Sequence, residues 1–382
     1  MKYDYIIAGS GCAGLSLLYR ILNDAELNKK QILVVDKTQK NQNDRTWCFW
    51  EKESGLFEPI VKHRWSTLEF LSDDFQRQYK MLNYQYKMIA GIDFYNFVLE
   101  TASKFKNVTF LFEEITELKS TKRGAEITTK KGTFSAKYIF NSTNLFYPTI
   151  SPKNSLLQHF EGWVIKAKTP VFDEKIGTLM DFRLSQKHGA TFMYVLPVSP
   201  TEALVEYTLF TEQILKKEQY KEALQTYIND YLQVVDYEVL HTEFGIIPMS
   251  LAKFQRKIPS KKNIINIGTA GGFTKASSGY TFQFVQKHTE KIINLLKTNT
   301  YPNPAITFRE KMFQWYDRTL VEVILSKKME GKEIFATIFE NRPIDTILAF
   351  LGNESTIAQD VKIMSCLPIK PFLISGIKQL RF

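Results

Sequence analysis

The stretch Gly9-Ser10-Gly11-Cys12-Ala13-Gly14, near the start of the chain, constrains the fold more than any other feature. It joins two segments of different periodicity. Before it, Tyr3-Asp4-Tyr5-Ile6-Ile7-Ala8 is a short, mostly apolar run with β-branched members, which reads as a buried strand. After it, Leu15, Leu18 and Leu22 recur at helical spacing in a segment from about Cys12. Gln31 to Asp36 is a second apolar strand, so the chain opens with a predicted β-α-β unit and hence a parallel sheet. In such a turn the first glycine permits the sharp reversal and the second lets the backbone approach a pyrophosphate. The third lets the helix pack close to the sheet. Helix N–H groups then face the phosphates, and Asp36, 22 residues after Gly14, stands where a carboxylate accepts from a ribose diol. Gly9, Gly11, Ala13, Gly14 and Asp36 are therefore expected to bind a dinucleotide.

The fingerprint alone does not say which one. A second glycine-rich turn, Ile267-Gly268-Thr269-Ala270-Gly271-Gly272, follows an apolar strand at Asn263–Gly268 and precedes a helix over about Phe282–Leu296. A second helix N-terminus reaching the same cofactor suits the long body of FAD, which adds Gly268, Gly271 and Gly272 to the expected binding residues. With a single fingerprint there is no evident second site for resident NADPH.

Between these turns the periodicity changes. Trp65–Leu71 reads as a strand, Phe94–Phe105 as a helix and Val108–Phe112 as a further parallel strand. Ile115–Ser120, Gly124–Thr129 and Thr133–Phe140 form an antiparallel meander. Gly162–Lys168, Gly177–Leu184, Ala190–Val198 and Glu202–Phe210 form a second antiparallel block, then Lys216–Val235 is helical, and the chain from Pro304 on is mostly helical. The expected fold is α/β: a Rossmann-like FAD-binding domain interleaved with an antiparallel substrate sheet and closed by a helical C-terminal part. The first comprises residues 1–60, about 91–150 and about 240–300, and the second about 61–90 and about 151–240, leaving 301–382 as the helical region.

Composition narrows the function. The formal charge is +10, but the basic residues are 39 lysines and only 11 arginines, a poor ratio for planar recognition of phosphate or guanine. No zinc-finger or RNA-module signature accompanies the densest basic stretch, Lys253–Lys262, and nucleic acid is not expected as a partner. The three cysteines and five scattered histidines have no metal-ligand spacing, so no metal is expected. No signal peptide or membrane-length apolar run is present, which predicts a cytoplasmic protein, soluble or peripheral.

Several segments, taken together, resemble lycopene cyclases of the bacterial carotenoid type. They are Asp44-Arg45-Thr46-Trp47-Cys48-Phe49-Trp50, Gly162-Trp163 with Leu179-Met180-Asp181-Phe182, and Tyr194-Val195-Leu196-Pro197 leading to Val205-Glu206-Tyr207-Thr208. Glu243-Phe244-Gly245-Ile246-Ile247-Pro248-Met249, the second glycine turn with Ser278-Gly279-Tyr280, and Ile363–Pro368 follow in the same order. The resemblance implies the flavin-hydroxylase type of FAD fold and a non-redox cyclisation of lycopene ends to β-rings, with reduced FAD required and NADPH as its electron source. The family's acidic motif maps onto Glu206. Other members often carry a second acid directly after it, where this chain has Tyr207, so the resemblance leaves Glu206 as the main acid with no adjacent partner.

The residues themselves agree with an acid at 206. The period of two puts Leu204, Glu206, Thr208 and Phe210 on one face, beside Phe192, Tyr194 and Leu196. A carboxyl among apolar neighbours keeps its proton to higher pH, as protonation of an alkene demands. Glu243 and Asp181 are further candidates for the acid or the accepting base, and Arg45 and Trp47 for the flavin site. The substrate would be a membrane-borne polyene, so docking to the inner membrane face is expected. Ser355–Phe382 offers Lys362, Lys370, Lys378 and Arg381 against Asp360 alone, with Phe372, Leu373 and Ile374 between. A monooxygenase or prenyl-lipid reductase of the same fold is the alternative, although such monooxygenases usually carry an acid where this chain has Thr269. The motifs do not specify oligomeric state.

Overall fold

The computed structural model describes residues 2–380. In chain order it begins with β1 (Lys2–Ala8), α1 (Cys12–Leu22), β2 (Ile32–Asp36) and β3 (Thr46–Glu51). β4 (His63–Trp65), β5 (Thr67–Leu71), β6 (Gln76–Lys80), β7 (Gln85–Ala90), α2 (Gly91–Ser103) and β8 (Val108–Phe112) follow. Next come β9 (Ile115–Thr121), β10 (Gly124–Thr129), β11 (Gly132–Asn141), β12 (Ser155–Ala167), β13 (Ile176–Asp181), β14 (Ala190–Pro197) and β15 (Glu202–Thr211). α3 (Lys217–Thr226) runs into a π-turn, then come β16 (Tyr237–Ser250), β17 (Ile264–Asn266) and α4 (Phe282–Lys297). Five helices complete the chain: α5 (Phe308–Leu325), α6 (Gly331–Asn341), α7 (Ile344–Leu351), α8 (Ile357–Met364) and α9 (Ile369–Leu380).

The opening β-α-β unit forms as its pattern predicts. β1, β2, β8, β11 and β17 pair in parallel, and β9 and β10 extend this sheet as the antiparallel meander. Leu15, Leu18 and Leu22 are buried, and α1 packs between α4 and α2. The second large sheet has the order β16-β12-β15-β14-β13-β5-β6. β14 is buried along its whole length because both of its faces are covered. On one side Phe192, Tyr194 and Leu196 meet Phe210 and residues of the C-terminal helices, among them Phe335 and Leu348. On the other, Met193 and Val195 meet Tyr220, Leu224 and Tyr227 of α3 and its π-turn. Each fully buried side chain of this size contributes about 1.5–3 kcal/mol, so the C-terminal helices are integral to the sheet's stability rather than an appendage.

Two sequence expectations need correcting. Trp65–Leu71 is two strands, not one. β4 joins a small sheet with β3 and β7, whereas β5 joins the large sheet, and the chain crosses at Ser66, whose carbonyl accepts the Met81 N–H. Alternation within a short apolar run cannot report such a change of partner. β16, 14 residues long, was not anticipated, and the expected boundary at about 240 falls inside it. Its outer residues are half-exposed and its apolar face is interrupted by Glu243, so the alternation that marks a strand is weak. Among the described residues no helix is long and apolar enough to cross a membrane.

Candidate active site

The two glycine-rich turns meet at one end of a cavity of about 890 Å³. Gly9, at φ +99°, ends β1 in a conformation that favours glycine, and a side chain there would also strike Ser142. At Gly14 a Cβ would strike the Gly9 carbonyl, which is the close helix–turn packing expected of the third glycine. Gly11 faces open space. It caps α1 without any side-chain bond to the first turn, so the helix's N-terminal N–H groups are free for an anion. Gly268 abuts Ala13, where a Cβ would come within 2.7 Å of the alanine methyl. Gly9, Gly11, Ala13, Asp36, Arg45, Trp47, Gly268 and Thr269 all line this cavity, as do Ser278 Oγ and Gln158 Oε1, two buried polar atoms with no protein partner. These groups fit the pyrophosphate and polar body of a dinucleotide.

Two details differ from the expectation. Asp36 Oδ2 accepts the Ser10 N–H at 2.7 Å and the Ser10 hydroxyl at 3.0 Å, so the carboxylate first ties down its own glycine turn. Gly271 and Gly272 line a neighbouring chamber rather than this cavity. The helix expected after the second turn, over about Phe282–Leu296, is α4 (Phe282–Lys297); Gly268–Gly271 itself is a short 3-10 turn, and the start of α4 presents Phe282 and Val285 to the cavity.

Glu206 and Glu243 line the same cavity. β12 runs between β15 and β16, and its residue Gly162 is the cross-strand partner of Glu206 on one side and of Glu243 on the other. Directly opposed residues share a face, so both carboxylates rise on the same side of the sheet over a residue with no side chain. A Cβ on Gly162 would lie 3.2 Å from Glu243 Cγ and 3.5 Å from Glu206 Cγ. Thr208 donates to Glu206 Oε1 at 2.8 Å and Thr46 to Glu243 Oε2 at 2.9 Å. Burial holds the Glu206 carboxyl well above the usual carboxylate range, and the charge of Glu243 raises it further against the pull of Thr208. Burial likewise raises Glu243, partly offset by Thr46 and by the Arg45 guanidinium. Glu206 keeps some accessible surface only because it faces the cavity deep inside the protein. The like charges disfavour double ionisation, so the pair tends to hold a proton at neutral pH.

Tyr86, Tyr194 and Tyr280 also line the cavity, Tyr194 and Tyr280 close to Glu206, with the Tyr86 and Tyr280 hydroxyls 3.4 Å apart. Burial pushes the Tyr280 phenol up to about 12, so its ring stays neutral. Tyr207, the residue after Glu206, points to the opposite face and packs against Tyr220. The second carboxylate comes instead from Glu243, through the register of three strands distant in sequence. Glu243 was a candidate from the sequence, but its place beside Glu206 was not readable from adjacent positions, and neither were the roles of Gly162, Thr46, Tyr86 and Tyr280. The period of two did place Glu206 and Thr208 together.

Asp181 is not brought to the cavity. It is fully buried and held by the Arg183 guanidinium, at 3.0 Å from Nε and 2.6 Å from Nη2, and by the Tyr227 hydroxyl at 2.6 Å. Both of its oxygens are thus engaged by Arg183 and Tyr227.

With this geometry in place, comparison with known proteins identifies the architecture. A family model described as lycopene cyclase protein matches residues 4–375. The lycopene beta-cyclase of Pantoea ananas is 22% identical over 386 residues, covering 97% of this chain and 96% of its own. Among solved structures, a flavoprotein/dehydrogenase from Cytophaga hutchinsonii superposes with a TM-score of 0.68 at 13% identity, covering all of both chains. A geranylgeranyl bacteriochlorophyll reductase-like protein from Thermoplasma acidophilum gives 0.61 at 13% identity, covering 100% of this chain and 98% of its own. A probable FAD-dependent monooxygenase from Pseudomonas aeruginosa gives 0.60 at 15% identity, covering 89% of this chain and 100% of its own. The fold is thus the mixed α/β fold of flavin-dependent monooxygenases and reductases, and the chain belongs to the lycopene cyclase family.

Proposed function

We propose that this chain is a lycopene β-cyclase, an isomerase that closes the ends of lycopene into β-rings without net redox change. The observation that carries this reading is the carboxyl pair Glu206–Glu243, buried beside Tyr86, Tyr194 and Tyr280 in the cavity that the glycine-rich turns also line. Glu206, protonated at neutral pH, delivers its proton to the terminal double bond of the polyene and leaves a tertiary cation. The neighbouring alkene closes on that cation to form a six-membered ring, with the positive charge now on a ring carbon. Loss of the adjacent ring proton to the carboxylate pair forms the ring double bond and restores the acid, so atoms and charge balance. Glu243 keeps the proton on the pair by repulsion, and Thr46 and Thr208 hold the two carboxyls in register. The rings of Tyr86, Tyr194 and Tyr280 face the cation and exclude water from it. Bound FAD, kept reduced at the expense of NADPH, would supply an electron-rich surface beside that cation. Gly9, Gly11, Ala13, Gly14, Asp36, Arg45 and Gly268 are the residues proposed to hold it.

The cavity rim supports delivery from a lipid surface. Leu145, Phe244 and Ile246 line the opening while remaining 39%, 50% and 47% exposed. On α8 and α9, Val361, Ile369, Leu373 and Ile374 are exposed among Lys362, Lys370 and Lys378. Glu322 takes Lys378 at 2.6 Å, but Asp360 does not counter the rest of that charge at the surface because it is buried against Arg309 at 2.6 Å, and Arg381 lies outside the described residues. Peripheral attachment to the inner face of the cell membrane is the corresponding localisation.

The test is expression in a host that accumulates lycopene, followed by chromatography of the pigment. Cyclic β-carotene is expected, with NADPH consumed only to keep the flavin reduced. Unchanged lycopene beside a folded, flavin-loaded protein would refute the reading, and NADPH consumed in proportion to product would favour a reductase or monooxygenase.

A further inference from the structure

Behind the second glycine turn lies a separate chamber of about 410 Å³. It shares Pro248, Thr269 and Thr274 with the large cavity, but most of its remaining wall comes from residues 252–256 and 271–276, α4 and α5. Seven lysine and arginine side chains line it against two carboxylates, Glu310 and Asp317. Part of this charge is neutralised: Lys275 pairs with Asp317 at 2.6 Å, and Lys287 and Arg309 turn away to Glu354 and Asp360. Lys291 takes Glu310 at 2.9 Å, which leaves Arg256 only a 3.6 Å contact with the same carboxylate. Lys253 has no carboxylate partner among the described residues.

A second observation points to a missing anion. His288, 3% exposed, lines the chamber with both ring nitrogens unpartnered, its ring stacked on Phe273. A buried polar group without a partner is destabilising, and this imidazole has two such atoms. Burial and the charges of Arg256 and Lys291 together hold it far below the usual histidine range. An acceptor of negative charge at this spot would satisfy the ring, Arg256 and Lys253 at once. Phe254, Phe284 and Phe313 complete the walls, and the volume lies within the roughly 300–1,000 Å³ typical of small-molecule sites, larger than a bare oxyanion needs.

We propose that this chamber binds a phosphate ester, with Lys253, Arg256, Lys291 and His288 holding the phosphate and the phenylalanines contacting the organic part. The site stands on its own residues and is independent of the cyclase reading. Its shared wall with the large cavity lets a bound phosphate bear on the second glycine turn. The phosphate could belong to a nucleotide or to a lipid headgroup.

Titration calorimetry on the full chain tests this, with pyrophosphate, ADP and vesicles of phosphatidylglycerol in phosphatidylcholine as probes, each in two buffers of different ionisation enthalpy. Binding should take up protons near neutral pH, because the anion restores the proton affinity of His288. Lys253→Gln, at an exposed position that should not disturb folding, and Arg256→Gln should each weaken binding about tenfold. His288→Gln should abolish the proton uptake. Binding of the soluble probes with these sensitivities assigns a nucleotide-type phosphate, and the same sensitivities with vesicles alone assign a lipid headgroup. Binding that ignores Lys253→Gln and Arg256→Gln, as for ADP held by the fingerprint turn, overturns the proposal, and so does absence of binding by every probe.

Discussion

Gly162→Ala adds one methyl group between the two carboxylates and changes nothing else. Its Cβ would lie 3.1 Å from Leu204 Cδ1, 3.2 Å from Glu243 Cγ and 3.5 Å from Glu206 Cγ. Carbon atoms settle at about 3.5–4.0 Å, so Leu204 and Glu243 must retreat by roughly 0.3–0.9 Å and Glu206 by at most about 0.5 Å. The Leu204 methyl can rotate aside. Glu243 is held by its strand pairing and by Thr46, so it yields mainly by swinging its carboxyl group. The folded state should tolerate this. Replacing glycine in a strand recovers about 0.5–1 kcal/mol of backbone entropy, against about 1–3 kcal/mol for overpacking, a net loss near 1 kcal/mol. Chemistry is less forgiving, since misplacing an acid by about 1 Å can cost on the order of 100-fold. The expected result is a protein with near-native thermal stability and a full complement of flavin, but cyclisation reduced about 100-fold in a lycopene-fed assay. Wild-type turnover at wild-type stability would refute the idea that the bare position at 162 sets the carboxyl pair.

Other expectations follow from the same geometry. Glu206→Gln should abolish cyclisation and alter the pH dependence of stability. The folded carboxyl's affinity for protons is raised, so wild-type stability is fullest below the ordinary carboxylate range and falls as pH rises through the raised value. The melting temperature of the glutamine variant should therefore gain on wild type from about pH 5 upward, and a parallel pair of melting curves would contradict the burial argument. Thr46→Val removes a hydrogen bond that favours the charged form of Glu243, so the alkaline limit of activity should move upward; an unmoved pH profile would take Thr46 out of the pair. Asp181→Asn should lower stability to chemical denaturation by about 3 kcal/mol while turnover per folded molecule stays unchanged, because it leaves Arg183 without its partner. Lost turnover at intact stability would return Asp181 to the active site. Gly9→Ala, at φ +99° and against Ser142, should yield protein whose flavin absorbance is lost on purification. Retained flavin would show that the turn tolerates a different path.

The opening unit was legible because its information is local. Glycine spacing, a leucine stripe and two short apolar runs are each contained within a few turns of chain, and the first 36 residues fold as they read. The face of β15 carrying Glu206 and Thr208 was legible for the same reason, since the period of a strand is set by its own backbone. Asp36 was placed correctly at the end of β2, but its hydrogen bonds to Ser10 depend on how tightly the turn folds back.

What the sequence could not carry is pairing. Glu243 is 37 residues beyond Glu206, and the two face each other only because β12 threads between their strands in one particular register. A shift of one residue in either pairing would send a carboxylate to the other face of the sheet. Asp181 shows the converse, an acid equally plausible by position and removed from the site by an arginine two residues along the chain. Thus the amino-acid sequence by itself determined the nucleotide-binding turn and one buried acid. The tertiary structure alone decided which second carboxylate shares that acid's desolvated pocket, because desolvation and like-charge repulsion depend on neighbours in space.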